Sequence, residues 1–153
     1  MCDDDFYLQR AVQLASHNVA AGGRPFGAVL VKDGQVISEA TNSIHISQDP
    51  TAHAELLAIR AASQHLGPHL AGCVMYASGQ PCPMCLSAMH LCGVSRVVYA
   101  ASNEQAQPYG LSTARVYEQM ALPLCQQALP VEHVAQPAMI AIYRDWQARH
   151  AAG

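Results

Sequence analysis

Apolar and polar positions alternate along Gln35–Asn42, where Val36, Ser38 and Ala40 oppose Ile37, Glu39 and Thr41. That period of two predicts a strand. The preceding run, PFGAVLVK, is apolar on both faces and predicts a buried strand. Asp33-Gly34 between them is a hairpin signal. Upstream, a helix is predicted from about residue 4 to 21, capped by Asp3, favoured at its positive end by Asp4 and Asp5 and stopped by Gly22-Gly23. SIHISQDP reads as a loop, after which Thr51 caps a helix over 52–65 that Gly67-Pro68 ends. GCVMYAS, a helix closed by Gly93, and SRVVYAA make residues 73–100 a βαβ unit with parallel strands. Residues 102–112 read as a loop and TARVYEQMA as a short helix. LPVEHV is the candidate last strand, and 137–150 an amphipathic helix carrying Trp146. Strands alternating with helices give an α/β class in three layers.

Composition narrows the function classes. A chain of 153 residues fits one domain. Charged residues are only 12%, against a usual value of about 25%. So little charge leaves a poorly hydrated surface, which a permanent subunit interface would cover. Lys32 is the single lysine beside seven scattered arginines, and net charge is −3, so no basic stripe exists for nucleic acid. No apolar run approaches the length that spans a membrane. The start MCDDDFYLQR carries acids where a secretory signal carries bases, which points to the cytoplasm. The six cysteines are then expected as thiols, and any that cluster suggest metal or catalysis.

Cys82 and Cys85, in PCPMC at a helix start, place both sulfurs near exposed N–H groups that stabilise thiolates. That pair alone fits a metal site, a redox pair or inert thiols. His53 and Glu55, two apart in TAHAELLAIR, share no helix face and form no i,i+4 pair. Taken together, His53, Cys82 and Cys85 supply three ligands and leave one tetrahedral position for water, the layout of a catalytic zinc. Two thiolates nearly cancel the metal charge, so a base is needed for the water proton, and Glu55 can supply it. An H-x-E followed about thirty residues on by P-C-x-x-C is the signature of zinc deaminases.

At GRPFGAVLVKDG, DPTAHAELLAIR, QPCPMC and VVYAAS the chain resembles the cytidine deaminase-like superfamily, and most of all its bacterial guanine deaminase branch. The resemblance implies a five-stranded mixed sheet between helices, with one zinc per subunit at two helix N-termini. It implies that Asn42 hydrogen-bonds the base, Phe26 packs against it, the Ala54 N–H faces it, and the Pro81 carbonyl accepts from the leaving amine. It also implies a homodimer, with the C-terminal segment, about 137–153, a candidate for exchange between subunits. The chain departs from the pattern in three places. Gln80 stands where the family commonly has an acid; Ser112 and Thr113 stand where an acid reading guanine is expected; and the chain ends RHAAG, without a closing aromatic residue.

The expected activity is zinc-dependent hydrolysis of a free purine base, guanine first. A deaminase of cytosine or another small base or nucleoside is the alternative, and a tRNA adenosine deaminase shares every metal residue. The segment AIYRDWQARHAAG, with two arginines and no lysine, lacks the basic grip that an RNA loop needs. A non-catalytic zinc-stabilised interaction module would have no need of Glu55.

Overall fold

The hairpin and the βαβ unit share one sheet. In the computed structural model, which describes residues 3–151, β1 (Gly27–Lys32) and β2 (Gln35–Thr41) pair antiparallel around Asp33-Gly34. Both turn residues have positive φ, 50° and 74°, as this tight hairpin requires. β3 (Cys73–Gly79) lies antiparallel on the other side of β1, and β4 (Arg96–Ala101) runs parallel to β3. The order is β2-β1-β3-β4, a mixed sheet.

Alternation along β1 builds the three layers. Val29 and Val31 face α1 (Asp3–Ala20), packing with Tyr7, Ala11 and Tyr76. Ala28 and Leu30 face the opposite side, where α3 (Ala54–Leu66) and α4 (Pro83–Cys92) lie. α3 buries Ala54, Ala58 and Ala62, one helical turn apart, so a smooth small-residue face meets the sheet.

Several expectations need correction. The sheet of the described residues has four strands, not five. LPVEHV, expected as a strand, is irregular, with Leu129, Val131 and Val134 exposed. No ladder partner meets it among the described residues, and Pro130 lacks an N–H to offer one. Thr51 does not cap α3: its N–H and hydroxyl both donate to Asp49 Oδ1, forming an Asx turn, and the helix begins two residues later than expected. His53 takes the cap position instead. Asp3 lies inside α1, and the residue before it, Cys2, is outside the described residues. Two short helices occupy expected loops. Asn42 Oδ1 accepts from Ile44 N at the start of α2 (Ile44–Ser47), and Ser102 and Gln105 form a capping box on α5 (Asn103–Ala106).

The chain divides into two compact units, residues 1–118 and 119–153. The first holds the sheet and the helices against it. α6 (Ala114–Met120) spans the division. In the second, Gln119 Oε1 accepts from Ala128 N, and α7 (Pro137–His150) begins with Pro137 in its first turn. Trp146 stacks on His150 there, with ring centroids 4.4 Å apart. No residue of α7 is buried, and Ile142, Tyr143 and Trp146 are each more than half exposed. No described helix is long and apolar enough to cross a membrane.

Candidate active site

Two helix N-termini meet beside the ends of β2 and β3. His53 sits at the cap of α3 in extended conformation with no side-chain capping bond, so its ring is free to turn toward α4. Cys82 is the cap of α4, with Pro83 at the first helical position, and its sulfur accepts from Cys85 N at 3.5 Å. Cys85, in the same first turn, is buried. His53 Nδ1 lies 3.5 Å from Cys82 Sγ and 3.6 Å from Cys85 Sγ. Zinc–ligand bonds of about 2.0 Å to nitrogen and about 2.3 Å to sulfur, at the tetrahedral angle, set N and S roughly 3.5 Å apart. The two N–S distances match that spacing, and the three donors lie within 4.8 Å of one another, close enough to hold one ion.

The electrostatics agree with a cation there. The hydrogen bond from Cys85 holds the Cys82 thiol down at about 4, while the same pairing, then burial, pushes Cys85 up. Thiolate is the form that ligates a metal, so a cation held there would favour it at both sulfurs. The hydrogen bond to Cys82 raises His53. Glu55, in the first turn of α3, is only 7% exposed, and burial raises its pKa.

The cavity over this cluster is about 180 Å³ and is lined by Phe26, Asn42, His53, Glu55, Cys82 and Ser112, among others. Asn42 is 2% exposed. Its Oδ1 is taken by Ile44 N, which leaves its amide N–H groups for the cavity. Phe26 closes against Gly79, where an added Cβ would stand 3.2 Å from the ring. Ala54 is fully buried at the start of α3, where a helix leaves its first N–H groups unpaired. The Pro81 carbonyl accepts a short hydrogen bond from the Tyr117 hydroxyl. Gln80, which replaces the expected acid, accepts from Asn103 N, and Asn103 Oδ1 accepts from Thr113 N. Ser112 Oγ accepts from Ala114 N.

Sequence reasoning missed two residues here. Tyr117 meets a partner 36 positions away, which no local pattern announces. Arg24 also lines the cavity. Its signal was in the quoted GRPFGAV, a cation two residues before the ring that packs on the site.

Three protein donors at tetrahedral spacing, with one position left open toward a cavity, belong to the class of hydrolytic zinc centres. Residues 1–101 match the cytidine and deoxycytidylate deaminase zinc-binding region, and the chain belongs to that family of zinc-dependent aminohydrolases. The chain is 41% identical over 143 residues to the guanine deaminase of Bacillus subtilis, covering 92% of each chain. A tRNA-specific adenosine deaminase of Aquifex aeolicus is 38% identical over 102 residues, covering 66% of this chain and 68% of that protein. The X-ray structure of guanine deaminase from Bacillus subtilis superposes with a TM-score of 0.88 at 40% identity, covering 94% of this chain and 93% of that one.

Proposed function

We propose that this chain hydrolyses free guanine to xanthine and ammonia, with His53, Cys82 and Cys85 holding one zinc and Glu55 moving the protons. The buried Glu55 carboxyl, beside the three-donor cluster on a cavity sized for one small ring system, carries the reading. The near full-length similarity to a guanine deaminase supports the choice of base. Zinc, when bound, supplies Lewis acidity that makes water a nucleophile near neutral pH.

Glu55 accepts a proton from the attacking water and returns protons to the ring nitrogen and the departing amine. Burial raises its basicity, which suits a carboxylate that must take a proton and give it back. Phe26 packs on the ring, Asn42 donates to an acceptor on its edge, and the Ala54 N–H faces the substrate. The Pro81 carbonyl accepts from the leaving amine with the lone pair that Tyr117 does not use.

Residues 1–153 act as one deaminase domain. It works as a homodimer whose C-terminal segment, about 137–153, crosses between subunits; positions 152 and 153 lie outside the described residues. The exposed apolar side chains of α7 and the low charge fraction support this assembly. A thiolate ligand pair suits the reducing cytoplasm, where we place the enzyme.

The test is ammonia release from guanine, adenine, cytosine, guanosine and a tRNA anticodon stem-loop. Guanine is expected to turn over fastest. Turnover of the stem-loop alone would overturn the reading, and turnover of cytosine without guanine would replace the substrate.

A further inference from the structure

The cavity departs from expectation in the sign of its charge. Where an acid was expected to read the base, it offers the neutral Ser112 and Thr113, and its lining also includes the cation Arg24. The guanidinium has no ion pair or side-chain hydrogen bond among the described residues. Its backbone, by contrast, is held firmly. Arg24 O accepts from Asn18 Nδ2 at 2.7 Å and from Phe26 N at 2.8 Å. Asn18 is itself buried, and its amide also donates to Asn42 O at 2.9 Å. The buried Asn18 therefore ties Arg24 to Asn42, assigned to the ring edge, and a direct backbone bond ties Arg24 to Phe26, assigned to the ring face. Gly23, just before, has no room for a side chain: a Cβ there would meet Asn18 and His45 at 2.5 Å. The backbone is anchored, and the charged end of Arg24, an exposed residue, is free to turn to the cavity that it lines.

An unpaired planar cation beside a ring-binding face seeks adjacent acceptors. Guanine presents two, O6 and N7, side by side on the edge away from the C2 amine. Their spacing matches the guanidinium fork. Adenine offers a donor at the O6 position, and the adjacent acceptors of cytosine, O2 and N3, stand closer together than O6 and N7 of guanine. Resting on the guanine reading above, we propose that Arg24 is a specificity-determining residue that reads the O6/N7 edge of the base. It thereby does from the acceptor side what an acid in the 112–113 loop would do from the donor side.

The experiment compares guanine with 7-deazaguanine, which lacks N7, and 2-aminopurine, which lacks O6, in the zinc-loaded wild type, Arg24→Ala and Arg24→Lys. Wild type should prefer guanine over each analogue by roughly tenfold or more. In Arg24→Ala, kcat/KM for guanine should fall roughly 10- to 100-fold while the analogues change little, so the preferences collapse toward one. Arg24→Lys should keep the charge and recover only part of the preference, because an ammonium has no fork. Zinc content and melting temperature should match wild type in both variants. Equal losses on all three bases, or unchanged preferences, would overturn the role of Arg24 while leaving guanine deamination standing. A wild-type enzyme that releases no ammonia from guanine would overturn the underlying reading, and this inference with it.

Discussion

Glu55 shows what position alone can assign to a side chain. In the first turn of a helix a glutamate ordinarily serves the dipole from the surface, but this one is 7% exposed, and burial raises its pKa. A buried carboxyl that adds nothing to the packing of a core is a cost unless it has chemistry to do. Glu55→Gln keeps the shape and removes the proton acceptor. It is expected to fold, to retain zinc by elemental analysis, and to lose 10²- to 10⁴-fold or more in kcat, the usual scale of general acid–base catalysis. Activity within about tenfold of wild type, a barrier change of only ~1.4 kcal/mol, would remove Glu55 from the proton path. The residue pattern H-x-E was legible because His53 is a helix cap and not a helical position. Two residues that share no helix face can both reach one ion when the first stands outside the helix.

Element packing sets how precisely those caps meet. α1 approaches β1 at Gly27, where a Cβ would stand 2.5 Å from Ala11 O and 2.7 Å from Leu14 Cβ. The same residue donates its N–H to Ser78 Oγ on β3. Phe26 and Asn42 flank this contact, joined by a hydrogen bond from Asn42 N to Phe26 O. Gly27→Ala must push helix backbone away from the sheet, and overpacking of this kind costs about 1–3 kcal/mol. Urea denaturation should show a lower midpoint at unchanged slope, and an unchanged midpoint would mean that α1 yields freely. The sequence carried the strand and the glycine, but it did not carry this contact, because Ala11 lies sixteen positions upstream.

At the scale of the molecule, Tyr76 ties the sheet to its first helix. Its hydroxyl donates to Asp4 Oδ1 at 2.7 Å, and Arg96 on β4 holds the same carboxylate at 2.8 and 2.5 Å. Burial, then that hydrogen bond, pushes Tyr76 up to about 12 from an ordinary 10. The folded state thus keeps a proton that the unfolded chain gives up. This stabilisation is complete below pH 10 and is lost as pH rises toward 12, at up to about 1.4 kcal/mol per pH unit. Thermal melts across that range should fall more steeply for wild type than for Tyr76→Phe, and parallel curves would show that the phenol is not linked to folding. Assembly is the other prediction at this scale. Light scattering at micromolar concentration is expected to give a dimer, and a stable monomer would refute the exchange of α7.

The sequence by itself determined the strands of the hairpin and the βαβ unit, the helices that follow them, and the three residues, His53, Cys82 and Cys85, that cluster as candidate metal donors. Each of these rests on local signals: a period of two, a turn dipeptide, a C-x-x-C at a helix start. It misplaced the start of α3 because Asp49 and Thr51 satisfy each other, a choice between two nearby polar partners that propensity does not rank. It offered a fifth strand because LPVEHV has strand composition, although a strand exists only where a ladder receives it. Tertiary structure alone decided that His53 and Cys82, 29 positions apart, would stand 3.5 Å from each other. It alone put Tyr117 on the Pro81 carbonyl and the unpaired Arg24 on the cavity wall. The first placement follows from how α3 and α4 lie on one face of the sheet, the others from contacts between segments far apart in the chain, and no spacing within a single segment encodes either.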